Sequence, residues 1–341
     1  MKLTNRLPDF NYLIQVLKKE KTTRPVMFEF ILSEDKEKLL TGEEYDVSTE
    51  LKRNITRIKA FRNAGYDFCP ILITGAHFFR KSNEQKQTKS LNAGAVIFDR
   101  DSFNNYPWPD INNCNFSLLD ELKDYLEGNM RLIPYSYDGI LENAIGIIGY
   151  ENMCYMLYDD EELLADIFLK IGKITKAYYR KCLEYSSVGA ILCNDDWGFN
   201  LQTMLPPSIL RKYVFPWYQE IVEMAHKKGL YALLHSCGYY NDIIDDIVNV
   251  MKFDGKHSFE DNIIPVEQAY PNLVNKIAVL GGIDMNFLKT KTAEEVYKRA
   301  KALIKQTKEG GYALGSGNSI PDYIPNQNYL ALLKAGLEDY E

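Results

Sequence analysis

His235 and Cys237 stand two positions apart at the end of an apolar run, LLHSCGYY (233–240). On an extended chain residues i and i+2 share a face, so one imidazole and one thiol can reach the same point. Nitrogen and sulfur donors together suit zinc, which is held by three or four protein ligands in tetrahedral geometry. The pair supplies two. His257, at the end of the next β-rich run, is the nearest candidate for a third, with Asp196, Glu260, Asp284 and Asn318 as further donors. The same two residues also fit a histidine hydrogen-bonded inside a core beside a cysteine acting as a small apolar side chain.

A second group with chemical capacity is NDDWG (194–198). Two carboxylates after an apolar run are costly unless hydrogen-bonded, metal-bound or used for proton transfer. Adjacent residues on an extended chain diverge, so one of the two faces a cavity. The order places Asp196, followed by Trp197, in the mouth and leaves Asp195 to cap a loop. A helix N-cap or an Asx-turn is the alternative for the pair. In GGIDMNFL (281–288) two glycines permit close approach, and Asp284 either binds substrate or caps the following helix. GSGNSIP (315–321), with Asn318, is a glycine-spaced turn able to present backbone N–H groups to a ligand. It is no Walker A loop, because no Gly-Lys-Ser/Thr follows. Glu29, His77, Tyr135 and Trp197 also fall where apolar runs end and are candidate substrate contacts. G-x-S-x-G, H-E-x-x-H and C-x-x-C are all absent.

Eight β-rich apolar runs carry these residues: 24–32, 66–74, 130–136, 189–195, 230–236, 253–258, 276–282 and 311–316. Segments with helical periodicity separate them, for example 159–185, 207–228 and 292–310. The second should be capped by Ser208 and closed by Gly229, and the third should start at Thr292. Strands alternating with helices predict an α/β fold with a parallel sheet, and eight of them predict a single (β/α)8 TIM barrel. Residues 1–23 are then an N-terminal extension and 75–129 an insertion after the second strand, with short strands such as AVIFDR. The whole of 1–341 is expected to form one domain. In such barrels the reactive groups stand at the C-terminal ends of the strands, where the candidates above fall.

The 341 residues carry a net charge of −7, with 46% hydrophobic and 26% charged residues, as in an ordinary soluble enzyme. An acidic chain without a basic aromatic cluster excludes a nucleic-acid partner. The start, MKLTNRLPDF, has no apolar h-region, and no window spans a bilayer, so a cytoplasmic protein is expected. Six cysteines without repeating spacing then read as reduced thiols.

In RPVMFEF, NDDWG with MLPPSILRKYVFPW, LLHSCG, GGIDMNFL and GSGNSIPDYIP, in that order over about residues 24–330, the chain resembles the uroporphyrinogen decarboxylase superfamily. The resemblance implies a (β/α)8 barrel with its site at the C-terminal mouth. True decarboxylases of this superfamily are metal-free and hold a tetra-acid macrocycle with arginines of an N-terminal loop. The matching segment here offers Glu29, Glu34, Asp35 and Glu37, and no arginine between Arg24 and Arg53. The cobalamin-dependent methyltransferase branch uses zinc held by a His-x-Cys pair and a later cysteine. His235 and Cys237 match the pair; Asn318 occupies the later position, and no cysteine follows Cys237. The resemblance therefore implies a zinc-assisted, corrinoid-linked methyltransferase or demethylase acting on a small methylated substrate or thiol. Zinc would sit on His235, Cys237 and His257, and Asp196 and His235 would serve catalysis. The corrinoid would come on a partner protein, and a homodimer is compatible with the superfamily. The alternatives are decarboxylation of uroporphyrinogen III or a smaller acid, and a non-catalytic barrel that binds a small ligand.

Overall fold

Short runs rich in Val, Ile, Leu, Phe and Tyr, each ended by a polar or glycine-containing turn, form parallel strands. In the computed structural model, which describes residues 1–81 and 91–340, these are β1 (Phe68–Leu72), β2 (Arg131–Tyr135), β3 (Ala190–Asn194), β4 (Tyr231–His235), β5 (Gly255–His257), β6 (Ala278–Leu280) and β7 (Tyr312–Ala313). Each pairs in parallel with the next, in sequence order from β1 to β7. Helices cross between them, giving an α/β fold of the TIM-barrel type.

The expected first strand, 24–32, is the exception. It makes isolated bridges, Met27 to Leu314 and Leu32 to Ile320, beside the last strand. Phe28 N–H donates to Leu314 O, and Leu314 N–H to Val26 O, each at 2.8 Å. Pro25 has no N–H to give, and the Phe30 amide is taken by the Glu29 carboxylate at 3.2 Å, so a continuous ladder lacks donors. The segment still brings the sheet's edges together: the Phe28 ring lies 5.1 Å from that of Phe68 on β1.

Alternation along each strand sorts residues to two sides. Ala190, Leu192, Leu233, Ala278 and Leu280 join Phe28 and Phe30 in a cluster enclosed by the sheet. Ile191, Cys193, Leu234 and Val279 face the helices in the larger core. The N-terminal extension forms the helix Asn11–Leu17, whose buried Leu13, Val16 and Leu17 fill the enclosed cluster from the strands' N-terminal end. Glycines permit that fit: a Cβ on Gly189 would lie 2.6 Å from the Phe10 ring, and one on Gly255 2.9 Å from Leu17.

The helices follow the sequence periodicity with local departures. The 159–185 run is Glu161–Cys182, capped by Asp160. The 207–228 run is divided into Pro207–Tyr213 and Phe215–Lys227, with Pro216 opening the second part. Ser208 is not its cap; the cap position falls on Pro206 and Ser208 lies inside the first turn. Gly229 has the left-handed φ of 71° expected past a helix end, and Thr292 forms a capping box with Glu295. In the insertion, residues 82–90 lie outside those described. AVIFDR is not a strand: the Val96 and Ile97 amides donate to Ile147 O at 2.8 and 2.9 Å, at the C-terminal turn of the helix Ile140–Ile148. A helix end with spare carbonyls satisfies them in place of a neighbouring strand. All six cysteines are free. Among the described residues no helix is long and apolar enough to cross a membrane.

Candidate metal centre

Register explains how residues far apart in sequence meet. Asn194 of β3 stands beside His235 of β4, and His235 beside His257 of β5. The C-terminal ends of three neighbouring strands therefore present their inward side chains to one place. On β3 the even positions face inward, which sends Asp196 into the mouth and Asp195 outward. Asp195 is fully buried and accepts from the amides of Leu141 and Glu142 and from Tyr218 Oη, each at 3.0 Å. It caps the Ile140–Ile148 helix from another element. Burial pushes its carboxyl up to about 7, against the pull of those donors.

Asp196, His235 and Cys237 bring one oxygen, one nitrogen and one sulfur within 4.8 Å of one another. Cys237 Sγ is 3.6 Å from His235 Nε2, and the Cys237 amide donates to Asp196 Oδ1 at 2.8 Å. That amide bond ties the loop after β4 to the loop after β3. Two glycines make the approach possible: a Cβ on Gly238 would lie 2.2 Å from the Gly198 carbonyl oxygen, and Gly238 has a φ of 84°. Burial, then the Asp196 charge, pushes the Cys237 thiol up, so a cation is what would ionise it. Burial, then His257, holds the His235 imidazole well below its usual range and therefore neutral, the form that binds metal.

The donor set fits zinc. Three mixed N, S and O ligands with an open position are the pattern of a catalytic site, whereas structural sites are closed by four. Two cavities open onto it and meet at Asp196. One, of about 810 Å³, is bordered by Cys237, Asn318 and the carboxylates Glu260, Asp261 and Asp284. The other, of about 780 Å³, is walled by Phe78, Phe79, Phe199, Ile145 and Met204, with Arg80 and Glu142 among them. In the first, Asp261 is held by Arg299 at 2.7 Å, and one Glu260 oxygen accepts from the Gly238 amide at 3.1 Å.

The residues anticipated from sequence divide. Asp196, His235 and Cys237 come together. His257 does not join them, because both its ring nitrogens are engaged, Nδ1 with His235 Nδ1 at 2.8 Å and Nε2 with Ser316 O at 3.1 Å. Asp196 stands beside the pair in its place. Asn318 touches the centre as a donor, Nδ2 to Cys237 Sγ at 3.2 Å. Asp284 borders the larger cavity and also caps the helix Met285–Thr290 through the Phe287 amide at 3.0 Å. His77 is exposed on the second cavity against Tyr137. Tyr135, Trp197 and Glu29 border neither cavity. Tyr135 is buried against Phe30, Trp197 is fully buried against Phe215 and Tyr218, and Glu29 is fully buried on Ser316. Ser316 and Glu142 escaped sequence reasoning; the glycines flanking Ser316 were the available signal for the first, and nothing local marks the second.

Compared with known proteins, the chain matches the family described as uroporphyrinogen decarboxylase (URO-D) over residues 119–338. No curated protein matches it. Among solved structures it is similar to a methyltransferase from Methanosarcina mazei, at 15% identity and a TM-score of 0.69, over 95% of this chain and 96% of that one. A Listeria monocytogenes structure described as a vitamin-B12 independent methionine synthase gives 12% identity and a TM-score of 0.49, over 93% of this chain and 96% of that one. The likeness to the Methanosarcina mazei structure concerns the fold. The family match spans more than half the chain and includes β2 to β7 with every residue of the centre, and on it the protein belongs to the uroporphyrinogen decarboxylase family.

Proposed function

We propose that this protein is a zinc-assisted methyltransferase or demethylase that exchanges a methyl group between a small substrate and a corrinoid carried by a partner protein. The observation that carries the reading is the convergence of Asp196, His235 and Cys237 at the junction of two cavities. The similar fold of the Methanosarcina mazei methyltransferase accords with it.

Zinc on these three residues would supply Lewis acidity at its open position, favouring the ionised form of a bound thiol or hydroxyl or polarising a methyl-donor oxygen. The chain's own residues do the rest. Asn318 donates to the Cys237 sulfur at 3.2 Å, a contact that favours the ionised thiol without adding a charge of its own. Asp196, which borders both cavities, would orient a substrate or hold its proton. Phe199, Phe79 and Met204 line the apolar side, where a methyl group would lie. Cys237 serves as ligand and not as covalent nucleophile, since the histidine beside it belongs to the same centre.

Protein purified without chelator should carry zinc, and Cys237→Ala should lose it; metal-free wild-type protein would sink the proposal. The second reading, a decarboxylase of uroporphyrinogen III or a smaller acid, draws on the family itself and on Asp196 as a proton-handling group at the cavity junction. The carboxylates around the larger cavity weigh against a substrate bearing several carboxylates, through like-charge repulsion. Incubation with uroporphyrinogen III tests the porphyrin form of that reading, because stepwise carbon dioxide release is expected of a uroporphyrinogen decarboxylase alone.

A further inference from the structure

We propose that His257 is a positioning residue: through one hydrogen bond to His235 it turns the bare Nε2 of that imidazole toward Cys237 and Asp196. The inference rests on the reading of Asp196, His235 and Cys237 as a metal centre, and it deepens that reading by assigning the histidine that stands behind the ligands.

The proton positions follow from the hydrogen-bond network. Ser316 O can only accept, and it lies 3.1 Å from His257 Nε2, so that nitrogen carries the hydrogen. In the neutral ring Nδ1 is then bare. His257 Nδ1 and His235 Nδ1 are 2.8 Å apart, which requires one hydrogen between them, and only His235 can supply it. With its hydrogen on Nδ1, His235 presents a lone pair at Nε2, the atom 3.6 Å from Cys237 Sγ. The opposite tautomer would aim an N–H at the metal position and block coordination. Metal-binding histidines generally owe their orientation to such an acceptor behind the ring. Here the acceptor is a second histidine.

The structure leaves that second ring little freedom. His257 is fully buried, with the Phe28 ring 5.1 Å away on one side and His235 at 5.0 Å on another. Gly281 borders it so closely that an added Cβ would lie 2.8 Å from the imidazole. The Ser316 carbonyl that fixes it is itself anchored. Ser316 Oγ donates to Glu29 Oε1 at 2.8 Å, the Ser316 amide lies 3.3 Å from Oε2, and the Gly282 amide donates to the same carbonyl at 2.8 Å. A chain of contacts thus runs from Glu29 through Ser316 and His257 to His235.

The test uses full-length protein labelled with ¹⁵N-histidine, in which only four imidazoles need assignment. In metal-free wild-type protein the ¹⁵N shifts should show His235 protonated at Nδ1 and bare at Nε2. His257→Phe keeps a ring but removes the acceptor. It should mix or reverse the His235 tautomer, weaken zinc binding measured by chelator competition by about 10–100-fold, and alter the visible spectrum of the Co²⁺-loaded protein. His257→Gln, whose amide oxygen can accept from Nδ1, should restore the tautomer and much of the affinity. A wild-type His235 protonated at Nε2 would overturn the proposal, with no variant needed. So would a folded His257→Phe protein that binds zinc as tightly as wild type. A wild-type protein with the expected tautomer but no affinity for zinc would uphold the network's placement of the proton and refute the metal centre instead.

Discussion

At the scale of single residues, the proposed zinc centre differs from a two-thiolate site by one exchange, Asn318 for a cysteine. An amide that donates to sulfur leaves one thiolate and one carboxylate to balance a divalent ion, with a position left open. Asn318→Cys should therefore tighten zinc, by roughly tenfold or more, while slowing turnover, because a second thiolate closes the fourth position. Chelator competition and single-turnover methyl transfer would read the two effects; unchanged affinity would place the side chain outside the centre. Asp196→Ala removes the third ligand and should weaken zinc at least as strongly, with the loss measured in the same titration. The His-x-Cys pair was legible from its spacing alone. Which residue completes it was not, because His257 and Asp196 are both at strand ends and only the rotamers reveal that one imidazole has no nitrogen left to offer.

Among the elements, the C-terminal ends of β3 and β4 bring Asp196, His235 and Cys237 together, β5 sets His257 behind them, and their placement depends on loops that touch backbone to backbone. Gly238→Ala would force a Cβ to within 2.2 Å of the Gly198 carbonyl at a left-handed φ. It should cost about 1–3 kcal/mol in denaturant unfolding and weaken zinc by separating Cys237 from Asp196. Asp195→Ala strips the cap from Ile140–Ile148 and takes away the acceptor of the Tyr218 O–H and of two amides. A loss of about 1–3 kcal/mol is expected, with zinc retained, since the outward carboxylate does not reach the centre. Seven strands were readable because alternating apolar runs mark both faces of a buried sheet. The first run was read as a strand for the same reason. Its apolar side chains do line the interior, but Pro25 and the Glu29–Phe30 contact consume the backbone donors a ladder needs. AVIFDR shows the converse: apolar composition without pairing, because a helix end captured its amides.

For the whole molecule, the barrel's first and last segments are fastened by a buried carboxyl. Burial raises Glu29 to about 8 from an ordinary 4.5, with hydrogen bonds from Ser316 and then the Phe30 amide opposing the shift. The unfolded chain releases that proton first as pH rises, so stability from this group is fully present below about 4.5 and declines through the window up to about 8. Wild-type thermal stability should thus fall between about pH 5 and about pH 8 by up to several kcal/mol, and Glu29→Gln should flatten the decline. Equal slopes in the two proteins would show that Glu29 is ionised in the fold. The barrel and its mouth are what the apolar periodicity encodes; the chemistry at the mouth is encoded by a handful of side chains whose meeting depends on strand register. One measurement tests the proposed zinc centre most directly: metal content and X-ray absorption of protein purified without chelator, beside Cys237→Ala. A centre of Asp196, His235 and Cys237 should hold about one zinc per chain with a single sulfur and nitrogen or oxygen neighbours at about 2.0–2.3 Å, lost in the variant. Metal-free protein with His235 and Cys237 intact would contradict it.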